Sequence, residues 1–217
     1  MQLIVEVLAR LDAHYGPQGW WPAASRFEVI VGAVLTQNTS WTNVERAITN
    51  LKSAGALSPE GINGLGREAL AELIRPSGYF NVKARRLAAV ARWFEDAGGF
   101  EGLDPLATAP LRAELLRVHG VGPETADDIL LYAFDRPVFV IDAYTRRLFS
   151  RVCGLEPARS YEGWRALFES ALPRRAARYN QYHALIVAQG KAICRPTPRC
   201  DECPVADLCA FTAVGSG

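Results

Sequence analysis

Apolar residues recur at three- and four-residue spacing along most of this chain, and the alternation that marks half-buried strands is nearly absent. Leu3, Val7, Leu8 and Leu11 line one side of a helix predicted over residues 3 to 15, which Gly16-Pro17-Gln18-Gly19 ends. Phe27 to Thr36 reads as an apolar helix, and Gln37-Asn38-Thr39-Ser40-Trp41 follows it as a polar turn. Val44, Ala47, Ile48 and Leu51 predict the next helix, and Gly61 to Gly66 reads as a loop. Helices from Arg67 to Ile74 and from Val82 to Phe94 flank a turn at Arg75 to Asn81. Leu111, Leu115, Leu116 and Val118 mark a further helix, opened by Ala109-Pro110. Gly120-Val121-Gly122 then predicts a tight turn with positive φ at its glycines, and Pro123 opens a helix carrying Ile129, Leu130, Ala133 and Phe134. Pro137 to Ile141 is the one β-like run, and it is short. The pattern predicts an all-α fold containing a helix–hairpin–helix unit.

The composition adds bounds. A chain of 217 residues buries a substantial core as one large domain or two small ones, and 49% apolar residues exclude a disordered chain. No apolar run reaches membrane-spanning length and Met1 to Glu6 does not read as a signal peptide, so a cytoplasmic location is expected. The net charge of +1 points to no partner, but its distribution does. Between Ala143 and Arg199 there are eleven Lys/Arg against Glu156, Glu162 and Glu169, either a solvated helical face or a surface that tracks a phosphate backbone.

Candidate chemistry gathers at three places. The hairpin turn presents backbone N–H groups at a helix start, a seat for an anion such as a DNA phosphate. Asp142 follows the β-like run at the head of the next helix, where aspartate serves as an N-cap as well as a reactive carboxylate. Cys194, Cys200, Cys203 and Cys209 are spaced C-x5-C-x2-C-x5-C, which implies a metal site rather than disulfides. Spacing alone leaves an iron–sulfur cluster and tetrahedral zinc both open. Cys153 stands outside the set and reads as a buried free thiol.

The combination of hairpin, Asp142 and cysteine loop resembles the helix–hairpin–helix DNA glycosylases of the endonuclease III superfamily over nearly the whole chain. Trp20-Trp21-Pro22, Gly32 to Thr39, Arg75 to Leu87 and Gly120 to Asp127 follow the patterns W-W-P, G-A-V-L-T-Q-N-T, R-P-S-G-[YF]-[YF]-N-x-K-A-[RK]-R-L and G-[VI]-G-x-E-[ST]-A-D of the 3-methyladenine branch. That resemblance implies two helical lobes, residues 20–134 and residues 1–19 plus 135–217, with a DNA-binding cleft between them. It implies Asp142 and Glu124 as catalytic groups and Trp20, Trp21, Trp41 and Lys191 as the base pocket. It also implies Gln37, Asn38, Lys83, Gly120, Val121, Gly122 and Thr125 as DNA contacts, with Gln37 filling the gap left by an extruded base. The cysteines would hold a [4Fe-4S] cluster rather than zinc, although the loop has one residue fewer between the first two cysteines than the family pattern. Lyase members carry a lysine where this chain has Glu124, so a monofunctional enzyme is implied; adenine-excising relatives carry a glutamate near Gly32. The expected function is removal of alkylated purines such as 3-methyladenine from double-stranded DNA, by a monomeric, nucleoid-associated protein with no membrane contact. The alternatives are an endonuclease III-like glycosylase for oxidised or mismatched pyrimidines, and a non-catalytic iron–sulfur protein that binds lesions.

Overall fold

The computed structural model describes residues 1–214, and every regular element among them is helical. In chain order the helices are α1 (Gln2–Tyr15), α2 (Arg26–Leu35), α3 (Trp41–Ser53), α4 (Pro59–Gly64), α5 (Arg67–Leu73), α6 (Phe80–Asp96) and α7 (Gly99–Leu103). They continue as α8 (Thr108–Arg117), α9 (Pro123–Asp128), α10 (Ala143–Cys153), α11 (Tyr161–Ala171), α12 (Ala176–Ala192) and α13 (Ala210–Val214). Pro137 to Ile141 forms no strand; Val138 to Ile141 is buried and leads into Asp142. Among the described residues no helix is long and apolar enough to cross a membrane.

The chain divides into two compact units, Trp21–Phe134 and Met1–Trp20 with Asp135–Gly217. In the first, α6 packs on α2, α4 and α5, and α2 also packs on α3 and α9. Helix α2 is buried on nearly every residue, which is why its sequence is apolar all round. Ser25 caps it by accepting from the Glu28 N–H. The stretch Gly61 to Gly66, expected as a loop, instead contains most of α4. Pro59 starts that helix and the Ser58 side chain accepts from the Gly61 N–H. Gly61 is a glycine for packing, since a Cβ there would sit 2.8 Å from Ala56 Cα.

The hairpin joins α8 to α9. Gly120 has φ 86°, but Gly122 is extended at φ −92° with open space around it. The expectation of positive φ therefore holds at Gly120 alone. Leu116, expected on the apolar face of α8, is exposed, while Leu111, Leu115 and Val118 are buried. The two helices are tied by Arg112, whose Nε donates to Asp127 Oδ1 at 2.6 Å and whose Nη2 donates to Oδ2 at 3.2 Å. Asp127 is fully buried, so this ion pair ties α8 to α9 from inside the unit. A π-helical turn, Ile129–Ala133, follows α9. The carbonyl of Ala133 accepts from Arg26 Nε at 2.6 Å.

In the second unit α1 packs on α10, α11 and α12, and α10 on α12 and α13. Its core is aromatic: Phe139 stacks on Phe168 at 4.5 Å and Phe149 meets Phe168 edge-on at 4.8 Å, with Trp164 and Tyr179 also fully buried.

Candidate functional site

Within the Trp21–Phe134 unit, the polar turn after α2 reaches the hairpin. Gln37 Nε2 donates to the Gly120 carbonyl at 3.1 Å and to Thr125 Oγ1 at 2.9 Å, and Gln37 Oε1 accepts from Arg86 Nη1 at 2.5 Å. Thr125 is therefore a buried anchor for Gln37 rather than a free hydroxyl. Asn38 is exposed and left-handed, with φ 54°. Val121 is buried, and its N–H donates to the Val118 carbonyl at 3.1 Å.

Lys83, expected among the DNA contacts, is 1% exposed. Its Nζ donates to the carbonyls of Leu35 at 2.8 Å and Ser77 at 2.6 Å, so it binds the end of α2 to the turn before α6 and is not available to a phosphate. Burial, helped by the nearby Arg86 charge, lowers its ammonium to about 8. Its folded value is the lower one, so its contribution to stability rises as pH climbs from about 8 and is complete above the ordinary 10.5.

The aromatic residues form two groups. Trp21 meets Trp41 edge-on at 5.1 Å and 87°, and Tyr132 of the π turn at 5.0 Å. Trp41 Nε1 donates to Glu45 Oε1 at 2.9 Å. Gly32 lies under this cluster, where a Cβ would be 3.1 Å from the Trp21 ring. Gly32→Leu is expected to displace the Trp21 indole, read as a change in tryptophan emission and in lesion binding, with thermal stability shifted by about 1–3 kcal/mol as for overpacked cores. Trp20 belongs to the other unit, with Lys191 Nζ 5.7 Å from its ring centroid.

Asp142 caps α10. Its Oδ1 accepts from the Thr145 N–H at 2.7 Å and from Thr145 Oγ1 at 2.8 Å, and its Oδ2 lies 3.5 Å from His183 Nε2 on α12. The Asp142 side chain is 13% exposed. Burial pushes its carboxyl upward, but His183 and the two Thr145 bonds outweigh it and hold the group below its ordinary 3.8. A cap and a reactive carboxylate are thus compatible: Oδ1 does the capping, and Oδ2 lies toward His183. Glu124 is exposed in the first turn of α9.

The four cysteines line one cavity with Leu148, Ile193, Pro198 and Phe211. Gln189 Nε2 lies 3.2 Å from Cys203 Sγ and Arg151 Nη1 lies 3.4 Å from Cys194 Sγ. Arg147 donates to the carbonyls of Gly190 and Cys194, and Arg151 to those of Arg195 and Pro196. An apolar cavity with four soft donors, and cationic and amide N–H groups on the sulfurs, suits a negatively charged iron–sulfur centre. Cys153 is only partly exposed, and burial pushes its thiol up.

The profile of the HhH-GPD superfamily base excision DNA repair proteins matches residues 31–174. The chain belongs to that superfamily. Like its members it is a base excision DNA glycosylase, and it binds DNA. The iron–sulfur binding domain of endonuclease III matches residues 197–209 of this HhH-GPD protein, and its cofactor is a [4Fe-4S] cluster. A Methanocaldococcus jannaschii protein that bears a DNA repair glycosylase name is 47% identical over 211 residues, 96% of each chain. The solved H. pylori 3-methyladenine DNA glycosylase (MagIII), bound to 1,N6-ethenoadenine, is 31% identical with TM-score 0.75, covering 87% of this chain and 97% of that one. A trapped endonuclease III–DNA covalent intermediate shares the fold at TM-score 0.85 and 21% identity, covering 100% and 98%.

Three neighbours of the candidate residues escaped the sequence reading: Tyr132, His183 and Arg86. Arg86 falls inside the motif that carried the family resemblance, so attention to that motif's last basic position was the available signal. His183 and Tyr132 lie outside the HhH-GPD motifs quoted above, and nothing in their spacing marks them. A cavity of about 790 Å³ lined by Leu70, Arg85, Trp93, Arg117 and His119 contains none of the expected site residues, so volume alone does not mark the chemistry.

Proposed function

We propose that this glycosylase is monofunctional and removes alkylated purines such as 3-methyladenine from double-stranded DNA, acting as a monomer. The observation that carries the reading is the residue at the hairpin position where lyase relatives have an amine: Glu124 cannot form an imine with the sugar. Its role would be to contact the base or an ordered water. The cluster of Trp21, Trp41 and Tyr132 supports a cationic, electron-poor base, because aromatic faces attract cations by roughly 0.5–2 kcal/mol. The 31% identity to a 3-methyladenine glycosylase supports the same substrate class.

In this reading the nucleotide is rotated out of the stack and Gln37 fills the space it leaves. The bond from C1′ to the base nitrogen breaks with its electron pair going to the base, which is already a good leaving group when alkylated. Asp142 stabilises the positive charge that develops on the sugar, and water adds to C1′ while its proton passes to Oδ2, the carboxylate oxygen that Thr145 leaves unoccupied. Cys194, Cys200, Cys203 and Cys209 hold the cluster.

The test is a lesion panel of duplexes carrying 3-methyladenine, 7-methylguanine, an oxidised pyrimidine, or thymine or uracil opposite guanine, each resolved on gels with and without alkali. Excision of the alkylated purines is expected, with strand breaks only after alkali. Breaks before alkali contradict the monofunctional reading, and turnover confined to pyrimidine substrates replaces the substrate class.

A further inference from the structure

Gln37 is a long, neutral side chain, and an amide entering an apolar base stack carries a desolvation cost for each polar atom left unpaired. Here those atoms are already paired within the protein. Both amide hydrogens go to the hairpin, at the Gly120 carbonyl and Thr125 Oγ1, and the amide oxygen takes the Arg86 guanidinium. The arrangement fixes the amide orientation. Turning it over would set the NH2 group against a cation and the oxygen against the Gly120 carbonyl. Arg86 is itself held in place. Its stem lies so close to Gly120 that a Cβ there would fall 2.1 Å from Arg86 Cγ, and Gly120 at φ 86° is a position glycine already favours. One turn earlier on α6, Lys83 ties the end of α2, just before Gln37, to the same helix. Arg86 and Lys83 both reach from α6 to the segment that carries Gln37.

We propose that Arg86 is the positioning residue for Gln37: it supplies the charged donor that pairs the amide oxygen, so that Gln37 enters the duplex with its polar atoms satisfied and in a single orientation. This rests on the reading of Gln37 as the gap-filling residue but not on which lesion is excised. The coupling is specific to a vacated position in the stack, which separates it from an ordinary arginine–phosphate contact.

The experiment compares binding of the intact protein to an undamaged duplex and to the same duplex carrying a tetrahydrofuran abasic analogue, by fluorescence anisotropy at fixed salt. The proteins are wild type, Arg86→Met, Arg86→Lys, Gln37→Ala and the Arg86→Met/Gln37→Ala double variant. Arg86→Met keeps the stem and removes the fork, so the preference for the abasic duplex is expected to fall roughly tenfold or more, as loss of a charged hydrogen bond implies. Gln37→Ala should lower it similarly, the double variant no further, and Arg86→Lys should restore part of it. Equal weakening on both duplexes by Arg86→Met, or losses that multiply in the double variant, overturns the proposal. If Arg86→Met melts early, the Arg86→Lys comparison with Gln37→Ala decides. Because no turnover is read, a failed lesion panel ends the substrate reading and leaves this one standing, and the converse also holds.

Discussion

Asp142→Asn is expected to lower excision on the order of 10²-fold or more, about 2.7 kcal/mol of transition-state stabilisation, as for removal of one preorganised electrostatic group. DNA binding and thermal stability should change little. Asparagine caps helices as well as aspartate does, so the bonds from Thr145 survive the substitution. Asp142→Ala removes the cap too and should cost about 1 kcal/mol of stability on top of the lost activity. The two variants therefore separate the helix-capping role from the chemical one. A pH series adds a further check. The folded carboxyl lies below its ordinary 3.8, so its contribution to stability is fully present above that value and disappears as pH falls through the lower, folded one. Single-turnover excision, melting curves and anisotropy measured side by side check all of this, and an Asp142→Asn protein with undiminished excision removes the carboxylate from the mechanism.

Cys203→Ser is expected to produce the second large effect. The cysteine loop is held by short 3₁₀ turns, Cys200–Glu202 and Ala206–Leu208, and neither turn buries a residue. Beyond Val205 such a segment has little hydrophobic burial of its own, so the bound centre is expected to supply most of the energy that orders it, as in other small metal-folded loops. Loss of one thiolate should abolish the visible charge-transfer absorption of the cluster and raise amide exchange from Ile193 to Thr212. The aromatic core around Phe139, Phe149 and Phe168 should keep its protection, because its contacts do not pass through the loop. Full protection of the loop in a colourless Cys203→Ser protein shows that the cluster does not order it.

The helices were legible because their apolar faces repeat at the helical period, as Leu3, Val7, Leu8 and Leu11 do in α1. Helix α4 was not, because Gly61 and Gly64 read as breakers; Gly61 is there for its close approach to Ala56, a tertiary fact with no local signature. Asp142 and the cysteines carry their chemistry in residue type and spacing, and both were found. Lys83 shows the opposite case. It sits in a conspicuously basic motif, yet two backbone carbonyls at the end of α2 and before α6 draw it inside. Burial of a lysine depends on distant acceptors, and no sequence window contains them. Trp20 and Trp21 are neighbours in sequence but belong to separate units, a parting that the Trp-Trp-Pro motif does not announce.

Helix α10 begins at Asp142 and, at the positions of Arg147 and Arg151, clasps the backbone of residues 190–196. Eleven residues of helix form a rod of roughly 16 Å, stiff enough that its two ends move together. The carboxylate at its start and the arginines that hold residues 190–196 are therefore carried on one short rigid element within a single unit of the fold.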